Sequence, residues 1–329
     1  MDKLIQAFPE NITEALEIAS KVQLRKPKSD IANVVICGMG GSGIGGRLLS
    51  KWVEGSIKIP VQVVQEYELP DYVNENTMVI GSSYSGNTEE TLMCIQDAIA
   101  RKAHLVAVTS GGELEALSKK HNFDLITVPG GNPPRTALAY SLIQLTNIFV
   151  QNGFVDAGIL QQIEKARLLL IQEEKSIKKK AKELAAFLSG EKTAILYGST
   201  AFEPVLVRGR QQINENSKLL CWHHVIPEMN HNELVGWGGG DNRFAAVFFD
   251  SVWLNTRNKR RIEITEEIIR GKTFHVKTIK GVGNSLIEQS IYFINVIDWA
   301  SLYLANLKQV DAVEVDVIDY LKAELSKLK

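Results

Sequence analysis

From Ser82 the chain reads SSYSGNTEET, which puts four Ser or Thr residues, an Asn and a Gly into the seven positions from Ser82 to Thr88. Ser83, Ser85 and Thr88 can each donate a hydroxyl hydrogen bond, and the amides opening the helical run that follows can add theirs. Such a cup suits a compact tetrahedral dianion better than a pyrophosphate bridging two ribosides. The same turn can serve as a helix cap, with Ser85 or Asn87 at the N-cap and Glu89 and Glu90 in the first turn. We expect it to do both. A second anion-binding loop lies upstream in CGMGGSGIGG, residues 37–46. Gly38, Gly40 and Gly43 satisfy G-x-G-x-x-G and Glu66 lies near the end of the next strand, the pattern of a dinucleotide site. The physics of the motif is more general: glycines let backbone approach an anion, and Gly41 and Ser42 would present amides and a hydroxyl to it. No Gly-Lys-Ser/Thr follows, so it is not a Walker loop.

Four other side chains could do chemistry. Glu215 in INENSK lies near a helix end, where a Glu is usually surface decoration; Asn214 and Asn216 flank it and could hold its carboxylate or a hydroxyl. His231 in NHNE carries an imidazole, the side-chain type suited to moving a proton to and from an oxygen. Arg135 in GGNPPRT follows a strand and a rigidifying Pro134. Lys322 in YLK sits on a terminal amphipathic helix, ordinarily a solvated position. His223, His224 and Glu228 raise a metal alternative, but H-H-x6-H fits no common zinc pattern, and we expect no metal. Glu233 reads as a structural or orienting residue. Cys37, Cys94 and Cys221 form no CxxC pair and read as small buried hydrophobes in a reducing cytosol.

Positioning these groups requires a frame, and the hydropathy pattern supplies one. Short apolar runs at 33–40, 60–67, 77–85, 104–110 and 123–130 read as strands, separated by helical stretches at 43–54, 88–102, 112–121 and 134–152, after a leading helix at 9–25. A long charged helix at 156–189 looks like a connector. The pattern then restarts, with strands at 192–199, 218–225, 243–250 and 274–279 and helices at 203–214, 256–271, 283–306 and 314–328. Buried strands alternating with helices indicate parallel sheets covered on both faces. The expected division is an N-terminal domain at 1–155, a connector at 156–190 and a C-terminal domain at 191–329.

The 329 residues are 45% hydrophobic and carry a net charge of −1, so no overall field draws nucleic acid or an acidic membrane surface. The lysine run at 175–182 alternates with apolar residues as a solvated helix face. No stretch is long and apolar enough to span a membrane, and the first residues form no signal sequence. A cytoplasmic protein is expected.

The two loops, strand–GMGGSGIGG and strand–SYSGNTEET, resemble the sugar isomerase (SIS) domain, a phosphosugar-binding module. NPPRTALAY, INENSK, PEMNHNELVGW and IDYLK, in that order, resemble the bifunctional phosphoglucose/phosphomannose isomerases. The resemblance covers nearly the whole chain. It implies two SIS-type domains, each a mostly parallel sheet between helical layers. It implies interconversion of glucose 6-phosphate and mannose 6-phosphate with fructose 6-phosphate through an enediolate, without a cofactor. Glu215 would then be the base that carries the proton between C2 and C1, and His231 the ring-opening acid/base, contributed across a homodimer interface. Arg135 would stabilise the enediolate charge and Lys322 would assist ring opening. Gly41, Ser42, Ser83, Ser85 and Thr88 would hold the phosphate. Residues 310–316, VDAVEVD, lack the prolines expected after Val-Asp in this family, which bears on where Lys322 points. The second domain has no serine-rich loop after YGS at 197–199, so phosphate is expected to bind only in the first. A glucose-only isomerase, a non-catalytic phosphosugar sensor and a dinucleotide-dependent oxidoreductase are the competing readings.

Overall fold

The computed structural model describes residues 1–190, 192–240 and 242–327. Glu191, at the start of the expected C-terminal domain, and Leu328, the last residue of the expected terminal helix, lie outside the described residues. Strands form in each of the places the apolar runs predict. The first five are β1 (Asn33–Cys37), β2 (Val61–Val64), β3 (Thr77–Ser82), β4 (His104–Thr109) and β5 (Asp124–Thr127). They make a parallel sheet in the order β2-β1-β3-β4-β5. The second sheet contains β6 (Thr193–Ser199), β7 (Cys221–Ile226), β8 (Phe244–Asp250) and β9 (Val276–Lys280), again parallel, in the order β7-β6-β8-β9. Every residue of β3 is buried, as expected of a central parallel strand covered on both faces.

The strand order decides where a ligand can go. In the first sheet the chain crosses from β1 to an outer position and returns to β3 on the other side, so the loops after β1 and β3 diverge. The crevice they leave is the switch point at which open α/β sheets bind ligands. Those two loops are the glycine-rich and hydroxyl-rich segments.

Two compact units contain the sheets, and both are discontinuous in sequence. One consists of Leu4–Gln172 and Val282–Tyr292, the other of Met1–Lys3, Glu173–Gly281 and Phe293–Lys329. The helices Gly158–Leu188 and Leu286–Lys308 therefore supply residues to both. In the first unit Cys37 and Cys94 enter one core with Val35, Val79, Ile95 and Leu114. Cys94 Sγ donates to the Glu66 carbonyl at 3.2 Å, and all three cysteines are free and buried. In the second, Tyr197, Ile226, Met229 and Phe248 share a core, and Phe202 and Phe249 each set an edge against Phe293.

Three local departures concern the site. The helix after the glycine-rich loop starts at Gly40 rather than 43. The stretch expected to be helical from 134 opens as a 3-10 turn, Pro134–Thr136, before the helix Leu138–Gln151; consecutive prolines have no amide to donate to an α-helical ladder. The terminal helix spans Asp316–Leu325 and buries none of its residues.

Candidate active site

The hydroxyl-rich loop is a closed circuit of short contacts. Ser83 is buried and its Oγ lies 2.8 Å from Thr88 Oγ1. The amide of Gly86 donates to Ser83 Oγ at 3.1 Å, and that of Asn87 to the exposed Ser85 Oγ at 3.3 Å. Gly86 has φ +71°, and a Cβ there would collide with the carbonyl of Gly111, so the turn tolerates only glycine. Thr88 occupies the N-cap of the helix Glu89–Ala100, yet no side chain caps that helix. The expected capping by Ser85 or Asn87 is therefore corrected. Ser85 serves Asn87, and Asn87 Oδ1 accepts from the amide of Glu113 at 3.0 Å. The first amides of the helix keep their capacity to meet an anion.

The glycine-rich loop abuts this turn. Ser42 is buried, and its Oγ accepts from the amide of Tyr84 at 3.0 Å. A Cβ on Gly38 would stand 2.7 Å from the Ser82 carbonyl oxygen, and one on Gly41 would stand 2.8 Å from that of Pro134 and 3.3 Å from Arg135 Cα. Gly41 is thus what lets the turn carrying Arg135 lie against the glycine-rich loop. That turn is tied a second time, by the amide of Asn132 donating to Tyr84 Oη at 3.2 Å. Arg135 is buried. Gly41, Ser42, Ser83, Ser85, Thr88 and Arg135 thus come from three loops at the carboxyl end of one sheet. Tyr84, which links all three, was not singled out in the sequence, because a tyrosine among serines carries no signal of its own.

Glu215, His231 and Lys322 belong to the other unit. Glu215 lies half-buried in the last turn of the helix Glu203–Ser217. This helix is fixed by a buried ion pair, Arg208 to Asp298 at 2.7 Å, which Gln212 Nε2 joins at 2.9 Å. Both sequence neighbours of Glu215 are engaged elsewhere. Asn214 Oδ1 accepts from the amide of Cys221 at 2.9 Å, and Asn216, fully buried, donates to Ser301 Oγ at 2.9 Å. Both contacts hold the end of the helix that carries Glu215. Lys218 closes the helix in a left-handed conformation, and its Nζ donates to the carbonyls of Glu215 at 2.7 Å and Glu314 at 2.6 Å.

His231 ends the short turn Glu228–His231 and is exposed. Glu233 has the orienting contacts expected of it. Its carboxylate accepts from Tyr197 Oη and lies 2.7 Å from His224 Nδ1. Glu228 is occupied with Asn232, whose Nδ2 donates to it at 2.8 Å. Among the described residues no three His, Cys, Asp or Glu side chains gather as metal ligands do. Lys322 lies on the exposed terminal helix, beside Val317, Tyr320 and Leu321, which are 79%, 69% and 57% exposed.

A crevice lined by glycine and hydroxyl residues at the switch point of a parallel sheet, in a chain with two such sheets, is the arrangement of an α/β protein of the SIS class. Two family models match accordingly: the SIS domain over residues 29–146 and the bacterial phospho-glucose isomerase C-terminal SIS domain over residues 177–325. The chain is 40% identical to a bifunctional phosphoglucose/phosphomannose isomerase of Caldicellulosiruptor bescii, over the full length of both. It is 35% identical to the enzyme of the same name from Aquifex aeolicus, covering 92% of this chain and 93% of that one. The chain belongs to the bifunctional phosphoglucose/phosphomannose isomerase family. Among solved structures, a hypothetical protein from Thermus thermophilus superposes with a TM-score of 0.78 at 16% identity, over 98% of this chain and 89% of that one. The C-terminal domain of glucosamine-fructose-6-phosphate aminotransferase from Francisella tularensis gives 0.76 at 15%, over 94% and 96%. These likenesses concern the fold. No described helix is long and apolar enough to cross a membrane.

Proposed function

We propose that this chain is an aldose–ketose isomerase that interconverts glucose 6-phosphate and mannose 6-phosphate with fructose 6-phosphate. The observation that carries the reading is its identity of 40% over full length with a relative named for both activities. Ser83, Ser85, Thr88, Ser42 and the amide of Gly41 hold the phosphate as a handle, with the uncapped helix Glu89–Ala100 behind it. Glu215 takes the proton from C2 of the opened sugar and returns it at C1; a positioned general base is typically worth about 10²–10⁴ in rate. Arg135 stabilises the enediolate charge with its fixed guanidinium. His231 moves the proton of ring opening and Lys322 assists it.

The working form we propose is a cytoplasmic homodimer in which His231 serves the partner's site. Its exposure in a single copy agrees with that. Cofactor and metal are not part of the scheme: isomerisation moves one carbon-bound proton and leaves the overall oxidation state unchanged. In metabolism the enzyme would stand in glycolysis or gluconeogenesis. Separate coupled assays with glucose 6-phosphate and mannose 6-phosphate test the reading. Turnover of both is expected; turnover of neither overturns the isomerase, and turnover of glucose 6-phosphate alone overturns dual specificity.

A further inference from the structure

We infer that Glu233 is a positioning residue, whose carboxylate fixes the turn bearing His231 by accepting hydrogen bonds from Tyr197 on β6 and His224 on β7. This rests on the proposed role of His231 and extends it. The direction of every bond in the network follows from its chemistry. Trp237 Nε1 can only donate, and it donates to Tyr197 Oη at 3.0 Å. The single phenolic proton then goes to Glu233 Oε1. Burial first, and then the nearby carboxylate, push the Tyr197 phenol well up, so it stays protonated. The other oxygen, Oε2, lies 2.7 Å from His224 Nδ1. An ionised carboxylate only accepts, so Nδ1 carries the proton. One acidic side chain thereby joins two neighbouring parallel strands to the segment after His231.

The rest of that segment is held as firmly. Asn232 Oδ1 accepts from the amide of Glu233 at 2.6 Å while its Nδ2 donates to Glu228. Asn230 Nδ2 donates to Thr265 Oγ1 at 2.7 Å. Each neighbour of His231 is anchored, whereas the imidazole of His231 itself is exposed. A fixed backbone under an exposed acid/base group is what a residue that must meet a substrate in one geometry requires.

The test compares E233Q, H231A and the double variant E233Q/H231A in steady-state turnover of fructose 6-phosphate. An amide can accept from only one of the two donors and sets its own N–H against the other. E233Q should therefore lower kcat about 30-fold or more, with KM within threefold, since a displacement near 1 Å can cost about 10²-fold. The double variant should be no slower than H231A, because both changes remove one function. Multiplicative losses, or a wild-type kcat in E233Q, overturn the inference. Y197F keeps the ring packing, removes one donor and should show the same non-additivity, which decides the matter if E233Q fails to fold. Nitrogen-15 imidazole spectra give a readout apart from turnover. A slowly exchanging His224 Nδ1–H and a single His231 environment are expected in the wild type, and E233Q should lose both. Unchanged spectra refute the network. A wild type that does not isomerise would instead refute the proposed function, leaving these spectra to decide the role of Glu233.

Discussion

Ser83 Oγ and Thr88 Oγ1 lie 2.8 Å apart across the turn that opens the helix Glu89–Ala100. Each hydroxyl has one proton, so the pair passes a single donor outward and can present it to an anion. Thr88→Val removes the outer member and keeps its shape. The expected result is an increase in KM of about 10-fold for the phosphorylated hexose with kcat nearly unchanged, the scale of one hydrogen bond to a charged group. Thr88→Ser should restore most of the affinity. A collapse of kcat at constant KM would mean that this loop takes part in the chemistry.

Gly41→Ala tests the seat of Arg135. The new methyl would stand 2.8 Å from the Pro134 carbonyl oxygen, so the turn has to move by several tenths of an ångström. Activity should fall at least about 10-fold in kcat/KM, while the melting temperature changes little because Gly41 lies only half-buried at the loop edge. An unchanged kcat/KM would show that the Arg135 turn is free to shift.

Glu215→Gln should cost about 10²–10⁴ in kcat and leave substrate binding close to wild type. Calorimetry with a non-reacting phosphosugar acid checks the second half of that expectation. Surviving turnover would remove Glu215 from the reaction.

The support beneath Glu215 can be probed separately. Asp298→Ala leaves Arg208, 3% exposed, without its buried counter-ion. Breaking such a pair typically costs about 3–5 kcal/mol, which urea unfolding would register as a lower midpoint. A shift below about 1 kcal/mol would mean that the helix Glu203–Ser217 is secured chiefly by apolar packing.

Acid stability should depend on His104. Burial lowers its pKa below the ordinary value, outweighing the pull of Asp124, and its Nε2 is buried with no hydrogen-bond partner. A histidine whose folded pKa is depressed contributes stability above its unfolded pKa of about 6.5 and loses it as pH falls below that value. His104→Asn should flatten the decline in unfolding free energy between about pH 7 and pH 5. An identical slope in the variant would acquit His104.

Strands of these sheets could be read from the sequence because parallel strands buried on both faces appear as unbroken apolar runs. The glycine-rich and hydroxyl-rich loops could be placed at strand ends because glycine and hydroxyl residues there have a limited set of uses. The capping role of Ser85 and Asn87 did not form: Ser85 Oγ accepts from the Asn87 amide, and Asn87 Oδ1 accepts from the amide of Glu113, distant in sequence. Asn214 and Asn216 flank Glu215 in sequence, but their contacts with the Cys221 amide and Ser301 Oγ depend on tertiary packing that no local pattern announces. Glu233 reads from the sequence as a structural or orienting residue, whereas its partner Tyr197 is 36 residues away and is identified only by the pairing of β6 with β7. The position of Lys322 follows from no local pattern, because its helix buries nothing in the single chain.

The unit built on the first sheet also includes Val282–Tyr292, where Ser290 Oγ receives the indole N–H of Trp52 at 3.2 Å. During synthesis, that segment emerges only after every strand of the second sheet has been made, since β9 ends at Lys280. Domains ordinarily fold in the order in which the ribosome delivers them. Here the first sheet must wait for the second to be translated before its own unit is complete, and a gene fragment ending at residue 155 would never supply the missing piece.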